Sequence, residues 1–384
     1  VPGAGDLMGA HDFSARWTAD LVTSQSGRYT FKLVNTGTCR LYVDGKRILE
    51  NARPSGPAVM MVAEASAVLD LVAGRRYGIK VEYTRPAGEV FALMRVAFAF
   101  TPTAEDDDRL ARAVALAKKS DVAVIFAGMP EGFESEGHDR PNMDLPGHQL
   151  ELIKAVAQAN PRTVVVLNAG SPVAMPWLAD VKAVVEAYYP GQEGGAAVAN
   201  VLLGEVNPSG KLTVSFPRQL EDTPAYVNFP GTKEVLYGEG PFVGYRYYDQ
   251  KKIDPLFPFG HGLSYTTFEY GKVQVPARAA IGDPVQVALT VKNTGPVAGK
   301  EVVQVYVHDA ESALSRPPKE LKGFAKVMLQ PGESKTVTFT LDRRAFAFYD
   351  PNQKQWRVEP GRFDILVGSS SRDIRAVGTI TLEE

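Results

Sequence analysis

Ten residues that follow an apolar run carry many side chains able to move protons. The acidic loop, residues 131–140, reads EGFESEGHDR and comes directly after VAVIFAG at 122–128. Its acidic side chains are Glu131, Glu134, Glu136 and Asp139. A carboxyl group beside an aromatic ring such as Phe133 can lose enough hydration to raise its pKa, as a general acid at neutral pH requires. The other interpretation is a solvated loop that Asp139 and Arg140 fix by pairing.

The elements around this loop alternate between helix and strand. Helices are predicted at 103–120, 148–160, 176–181 and 194–206, and strands at 121–128, 162–170 and 182–189. The strands are apolar on both faces, which predicts a parallel sheet covered on both sides. Ligands bind such sheets at the carboxyl ends of the strands. The segment 129–147 leaves one of these ends and is longer than the usual connector of about 2–6 residues.

Alternating strands precede and follow this α/β region. GRYTFKLV at 27–34 and the Asp44-Gly45 turn predict antiparallel strands over 12–101. Residues 207–275 are rich in Pro and Gly, and alternating strands return after 276, as in an immunoglobulin or fibronectin sandwich. The predicted fold is therefore multidomain, α/β plus β. Its four parts are a β-sandwich (1–101), an α/β sandwich domain (102–217), a wrapping linker (218–275) and a second β-sandwich (276–384).

Other site chemistries find little support in the sequence. The five histidines are scattered, there is no HExxH and no G-x-G-x-x-G follows a sheet strand, so we expect neither a metal nor another cofactor. NAGSP at 168–172 lacks the G-x-S-x-G of serine hydrolases. GYRYYD at 244–249 could stack on a sugar ring, but we favour a packed aromatic run.

Charge and cysteine content limit the partners. The chain has 42 basic and 44 acidic residues, which argues against nucleic acid and membrane surfaces as partners. Cys39 is the only cysteine, so no internal disulfide can form. The compartment stays open, with a periplasmic or secreted location favoured over a cytoplasmic one.

Several ordered motifs resemble glycoside hydrolase family 3 of the β-glucosidase type. They are ESEGHDRPNMDLPGHQLELI (134–153), NPRTVVVLNAGSPVAMPW (160–177), YYPGQEGGAAVANVLLGEVNPSGKLTVSFP (188–217) and PFVGYRYYD with LFPFGHGLSYTTFEY (241–270). Residues 12–49 resemble the protective-antigen-type β-sandwich that some members carry as an insert, with its first part missing. The terminal sandwich resembles the fibronectin type III-like domain of the family.

The resemblance implies a retaining hydrolase of terminal β-D-glucosyl residues with two catalytic carboxylates. The loop form S-E-G-x-D-R makes Glu136 the acid/base, with Glu134 as the runner-up. Asp139 and Arg140 then have structural roles at the site. Phe133 and the Asn51–Pro57 loop of the insert are candidates for substrate contact.

The nucleophile of the family is an aspartate on an N-terminal (β/α)8 barrel, which this sequence does not contain. We therefore expect a separate N-terminal barrel chain as partner, produced by a cut in an exposed loop. Other β-glycosidases, such as a β-xylosidase, stay open as alternatives. So does a non-catalytic array of carbohydrate-binding modules.

Overall fold

The computed structural model describes residues 13–52, 63–85, 94–101, 108–130, 133–134 and 139–384. These residues form two compact units, divided between Ala113 and Val114. In chain order the architecture is a β-sandwich, an α/β sandwich and a second β-sandwich, as the sequence predicted. The bounds of the four predicted parts stay predictions.

The first unit is an antiparallel β-sandwich. Its strands are β1 (Phe13–Val22), β2 (Gly27–Asn35), β3 (Thr38–Val43), β4 (Lys46–Ala52), β5 (Ala63–Leu71), β6 (Arg76–Arg85) and β7 (Met94–Phe100). One sheet has the order β1-β6-β3-β4 and the other β5-β2-β7. The predicted hairpin turn joins β3 to β4, with positive φ at Asp44 (50°) and Gly45 (77°), as the right-handed strand twist requires.

Alternating side chains of the two sheets fill the core of this sandwich. Phe31, Leu33 and Leu41 are among its fully buried members, and Cys39 lies with them. Burial raises the pKa of the Cys39 thiol to about 11, so the thiol stays protonated and unreactive at neutral pH.

The α/β part follows. Its elements are α1 (Arg109–Lys119), β8 (Ala123–Gly128), α2 (Gln149–Ala159), β9 (Thr163–Asn168), a 3₁₀ turn (Leu178–Asp180), β10 (Ala183–Glu186) and α3 (Gly194–Leu202). The three strands are parallel in the order β10-β9-β8, which confirms the predicted parallel sheet. Lys118 and Lys119 occupy the last turn of α1, where they complement the helix dipole.

Strand β10 and helix α3 end at least three residues before their predicted ends. Strand β10 ends at Glu186 because Tyr188 adopts a positive φ of 50° and donates its N–H to the Glu186 side chain. Helix α3 ends at Leu202, ahead of Gly204, whose φ of 80° does not continue a helix.

Within the described residues, one face of the parallel sheet is partly exposed at β8. Val124 and Phe126 of β8 have exposed fractions of 41% and 63%, whereas Ile125 and Ala127 on the other face are buried. The prediction of a sheet covered on both faces therefore holds for one face of β8 only.

The linker region is more ordered than its Pro and Gly content predicted. Residues Tyr245–Lys251 form helix α4, between Gly244 with a φ of 55° and Lys252 in the left-handed conformation. Tyr245 stacks on Phe259 with a centroid distance of 5.0 Å, and Tyr248 is buried. This confirms the interpretation of GYRYYD as a packed aromatic run.

The terminal part is a second β-sandwich. Its elements are β11 (Phe268–Tyr270), β12 (Arg278–Ala280), β13 (Val285–Asn293), β14 (Gly299–Asp309), β15 (Glu320–Leu329), β16 (Ser334–Leu341), α5 (Arg343–Phe346), β17 (Phe348–Asp350), β18 (Gln355–Arg357), β19 (Gly361–Gly368) and β20 (Ile374–Glu383). Sheets β11-β13-β16 and β12-β20-β19-β14-β15 enclose a core of Val, Leu, Ile and Phe.

Asp249 ties helix α4 to this sandwich. One carboxylate oxygen lies 2.5 Å from Lys319 Nζ and the other 2.7 Å from Arg372 Nε. Arg372 also donates to the carbonyls of Tyr248 and Ile253. Since the Asp249 and Lys319 side chains are largely buried, Lys319 depends on this carboxylate for its compensation, whereas Arg372 also pairs with the exposed Asp254 at 3.2 Å.

Asp249→Ala should therefore leave Lys319 without its carboxylate and remove the shorter of the two ion pairs of Arg372. We expect the free energy of unfolding of the C-terminal unit to fall by about 3 kcal/mol. Urea denaturation followed by circular dichroism measures the change, with Asp283→Ala, an exposed aspartate in the loop before β13, as the control. Equal losses in the two variants would contradict a structural role for the Asp249 pairs.

Candidate functional site

The carboxyl ends of the three parallel strands meet at one edge of the sheet. Strand β8 ends at Gly128, β9 at Asn168 and β10 at Glu186, and backbone pairing continues one step further. Met129 N–H donates to the Asn168 carbonyl at 3.0 Å, and Ala187 N–H donates to the Leu167 carbonyl at 2.8 Å. The segments that leave these ends are therefore held side by side.

Gln149 fixes the point at which the chain leaves β8. Its side-chain oxygen accepts the Gly128 N–H at 2.8 Å, and its Nε2 donates to the carbonyls of Gly128 at 2.9 Å and Pro146 at 3.0 Å. A Cβ on Gly128 would lie 2.1 Å from the Asn168 carbonyl oxygen, so only glycine fits this close approach of β8 and β9.

Glu134 joins the acidic loop to the segments that follow β9 and β10. Its carboxylate accepts the Gly170 N–H at 2.7 Å, the Ser171 N–H at 3.2 Å and the Ser171 hydroxyl at 2.6 Å. The Tyr189 hydroxyl donates to the same carboxylate. A Cβ on Gly170 would lie 2.5 Å from the Tyr189 ring, so the small residue leaves room for this contact.

Arg140 completes the environment of this carboxylate. Its Nη1 lies 3.5 Å from Glu134 Oε1, and its Nη2 donates to the Pro172 carbonyl at 2.6 Å. The two charged side chains are only 15% and 12% exposed, so solvent screens the pair weakly. Arg140 thus faces Glu134 and Pro172, whereas Asp139 is exposed, so these contacts do not support the alternative of a loop fixed by an Asp139–Arg140 pair.

These contacts keep Glu134 ionised. Burial alone would raise the pKa of its carboxyl group. Hydrogen bonds from Ser171, Tyr189 and Gly170, together with the Arg140 charge, outweigh burial and hold the pKa below its ordinary value of 4.5. A carboxylate of this kind anchors a loop and is a poor proton donor at neutral pH.

Glu186 is a second carboxyl group at the same edge with the opposite shift. Burial raises its pKa to about 7, helped by the negative charge of Glu134 and opposed by the backbone N–H groups of Tyr188 and Ala169. Its Oε1 accepts the Tyr188 N–H at 2.9 Å. Its Oε2 is enclosed and has no hydrogen-bond partner among the described residues, so a substrate oxygen cannot reach it in this conformation.

The other predicted site residues divide into those the structure describes and those it does not. Glu136 and Glu131 lie outside the described residues. Phe133 is half-exposed and lines a cleft of about 260 Å³ together with Arg140 and Asp144. A planar apolar ring at that position can cover one face of a bound molecule.

The insert loop is described only at its start. Asn51 lies in β4 with its side chain buried, and its Nδ2 donates to Asn35 Oδ1 at 3.0 Å. This side chain therefore supports the sandwich and is not free for a ligand. Residues 53–57 of the predicted Asn51–Pro57 loop lie outside the described residues.

Sequence reasoning missed Ser171, Glu186 and Tyr189 as members of this edge. The one available signal was positional, because each lies at or just after the carboxyl end of a strand that was predicted to be parallel to 121–128. Within the described residues, no group of three metal-ligating side chains forms. No helix in that part of the chain is long and apolar enough to cross a membrane.

The charge on Glu134 should make stability depend on pH. Since its pKa is lowered in the folded state, the ionised carboxylate stabilises the fold at neutral pH, and this contribution disappears as the pH falls below 4.5. We expect Glu134→Gln to cost about 2 kcal/mol of unfolding free energy at pH 7. The difference in unfolding free energy between Glu134→Gln and the wild type should become smaller in acid. Urea unfolding from pH 7 to pH 3 measures this difference.

Glu151→Gln, an exposed position on α2, is the matched control and should show neither the loss nor the pH dependence. A Glu134→Gln deficit that stays constant down to pH 3 would contradict the ionised anchor.

Comparisons with known proteins agree with this architecture. Residues 18–265 match the glycosyl hydrolase family 3 C-terminal domain, and residues 301–371 match a fibronectin type III-like domain. The chain is 57% identical over 271 residues to thermostable beta-glucosidase B of Acetivibrio thermocellus, covering 70% of this chain and 36% of that protein. It is 41% identical over 389 residues to a beta-glucosidase of Rhizobium radiobacter, covering 99% of this chain and 47% of that protein.

A solved structure extends the likeness to three dimensions. The beta-glucosidase of Kluyveromyces marxianus in complex with glucose superposes with a TM-score of 0.87 at 40% identity, over 97% of this chain and 45% of that one. The chain thus spans less than half the length of these relatives. The chain belongs to glycoside hydrolase family 3 and corresponds to the C-terminal portion of its β-glucosidase-type members.

Proposed function

We propose that this chain carries the general acid/base of a retaining β-glucosidase, with Glu136 in that role. The observation that carries the proposal is the Glu134 anchor, in which a carboxylate from the chain after β8 accepts hydrogen bonds from donors that follow β9 and β10. The names of the relatives support glucose as the sugar that is released. The substrates are then terminal, non-reducing β-D-glucosyl residues.

The anchor supports a division of labour between two glutamates of the loop. Glu134 is bound by several donors and keeps a low pKa, which suits a positioning residue. Glu136 is two residues further on, outside the described residues, and is the nearest carboxyl group in the sequence to that anchor. A catalytic residue only two positions from an anchored residue has few positions available to it, which favours its productive geometry.

In a retaining mechanism the nucleophile and the acid/base are two carboxyl groups about 5–5.5 Å apart. An aspartate of the (β/α)8 barrel attacks the anomeric carbon while the glycosidic C–O bond breaks. The proton of Glu136 passes to the departing oxygen. Glu136 then takes a proton from water as the water oxygen bonds to the anomeric carbon. The bond between this carbon and the aspartate breaks, which frees the carboxylate and releases glucose.

The barrel is the partner that this mechanism requires. It can belong to a separate chain, as the sequence led us to expect, or to the same polypeptide, as the length of the relatives favours. In either form it supplies the nucleophile and most contacts to the glucose ring. This chain supplies the acid/base, with Phe133 and residues 53–57 of the insert as candidates for contacts to the aglycone.

Replacing Glu136 tests the assignment in the complete enzyme. We expect Glu136→Ala to lower kcat for glucosides with poor leaving groups about 10²–10⁴-fold, because their departing oxygen needs a proton. Azide should restore part of the rate for activated aryl glucosides by attacking the glucosyl-enzyme and forming β-glucosyl azide.

Two variants serve as controls in the same assay. Glu134→Ala should lose activity on good and poor leaving groups alike and gain nothing from azide. Glu151→Ala, on the exposed face of α2, should behave as wild type. Unchanged rates in Glu136→Ala, or azide rescue of Glu134→Ala instead, would refute the role of Glu136.

A further inference from the structure

Two carboxyl groups at the sheet edge share the segment that follows β9. Burial raises the pKa of Glu186, and a hydrogen bond from the Ala169 N–H opposes this rise. The next two N–H groups, those of Gly170 and Ser171, donate to Glu134. Three consecutive peptide groups are therefore divided between the two glutamates, and the position of this segment depends on both.

The segment that follows β10 is divided in the same way. Tyr188 N–H donates to Glu186 Oε1 at 2.9 Å, and the hydroxyl of the next residue, Tyr189, donates to Glu134. Glu186 is itself the last residue of β10, so its bond to Tyr188 closes a short turn directly after the strand. The turn that Glu186 closes thus precedes one of the donors of Glu134.

The contact with Glu186 holds Tyr188 in an uncommon backbone conformation. Its φ of 50° lies in the left-handed region, which residues with a Cβ seldom adopt. The Tyr188 hydroxyl is enclosed and has no hydrogen-bond partner among the described residues, so it does not fix this conformation. Asn168 Nδ2 donates to the Tyr188 carbonyl, but at 3.5 Å this bond is long. The bond to Glu186 is therefore the stronger of the two polar contacts that stabilise the turn.

The residue after Tyr189 limits it from the other side. Tyr189 precedes Pro190, and a residue before proline is restricted to extended conformations. Pro190 packs against the start of α3, where a Cβ on Gly194 would lie 2.5 Å from the proline ring. With Pro190 held there, the direction of the Tyr189 side chain depends on the conformation of Tyr188, and so on Glu186.

We propose that Glu186 is a positioning residue, which keeps Tyr189 against Glu134 and thereby determines the geometry of the anchor of the acidic loop. Glu186 Oε2 is enclosed, so the side chain acts through its contacts with the backbone and not on a substrate. The consequence for turnover rests on the proposed function, because the anchored loop must carry the acid/base. The geometry of the anchor does not rest on it.

The proton affinity of Glu186 suits this role. Two ionised carboxylates that share the same segments repel each other, and a neutral Glu186 avoids this repulsion while its Oε1 still accepts the Tyr188 N–H. Burial raises its pKa to about 7, so a substantial fraction is neutral near pH 7, whereas Glu134 stays ionised. Glutamine reproduces the neutral state. Glu186→Gln is therefore the variant that keeps the contact with Tyr188, and Glu186→Ala is the variant that removes it.

The ionisation of Tyr189 tests the positioning without any turnover. The hydrogen bond to Glu134 raises the pKa of the Tyr189 phenol above its ordinary value of 10. Carbon-13 NMR of the 384-residue chain with labelled tyrosine rings measures this pKa, and Tyr189→Phe assigns the signal. We expect the pKa to fall towards 10 in Glu186→Ala, because the phenol moves away from Glu134. It should stay raised in Glu186→Gln, which loses the same charge but keeps the contact.

Two results of this titration would overturn the proposal. One is a Tyr189 pKa in Glu186→Ala that equals that of the wild type. The other is an equal fall in Glu186→Ala and Glu186→Gln, which would assign the effect to charge alone. Glu186→Asp, whose carboxyl group is withdrawn from the Tyr188 N–H by one methylene, replaces Glu186→Ala if that variant does not fold, with the same expected fall.

A double-mutant cycle in the complete enzyme tests whether Glu186 acts through Glu134. Glu186→Ala alone should lower kcat about 10–100-fold, because the loop that carries the acid/base is displaced. In the Glu134→Ala background the same change should cost less than about twofold, because the contact that it supports is already absent. Glu151→Ala, on the exposed face of α2, should leave kcat unchanged in both backgrounds.

Equal factors for Glu186→Ala in the two backgrounds would contradict an action through Glu134 and overturn the proposal. The Tyr189 titration needs no catalysis, so its result is independent of the outcome for Glu136→Ala. A failure of the acid/base assignment is thereby distinguished from a failure of the positioning role.

Discussion

The organisation of the candidate site depends on one largely enclosed carboxylate, that of Glu134. Glu134 comes from the loop after β8, and its donors come from the segments after β9 and β10. These donors converge on the carboxylate and so compensate for the hydration that it loses. Each parallel strand therefore contributes to one electrostatic contact, and that contact limits where the acidic loop can lie.

Backbone geometry makes this convergence possible. Parallel pairing brings three strand ends to one edge, and Gly128 and Gly170 allow approaches that a Cβ would block. Gln149 then fixes the exit of β8 by bonding to both backbone groups of Gly128. The same edge lowers the pKa of Glu134 and raises that of Glu186, so two carboxyl groups close in the fold have opposite proton affinities.

Much of the fold could be predicted from local patterns. Alternating side chains indicated β2, and runs apolar on both faces indicated β8 and β9, because strand period and burial leave direct traces in a sequence. Helix α4 was missed because it has only seven residues between Gly244 and Lys252, within a segment rich in Gly and Pro. Such a short helix is stabilised by its packing against Phe259 and Tyr306 rather than by helix propensity.

The site was less predictable, since its contacts join distant residues. The composition of the acidic loop indicated a candidate site, but the one pairing considered for Arg140 was with its neighbour Asp139, whereas the structure pairs it with Glu134. The donors of Glu134 at Ser171 and Tyr189 lie 37 and 55 positions away in the chain. No local pattern specifies pairings of that range, whereas the parallel order of the strands determines them.

The pH dependence of kcat/KM in the complete enzyme tests most directly whether Glu136 donates the proton while Glu134 only anchors the loop. For wild type the rate should fall at high pH as the acid loses its proton. Glu136→Gln should remove this basic limb for activated substrates, and Glu134→Gln should lower the rate while retaining the limb. A basic limb that survives in Glu136→Gln and disappears in Glu134→Gln would contradict the account.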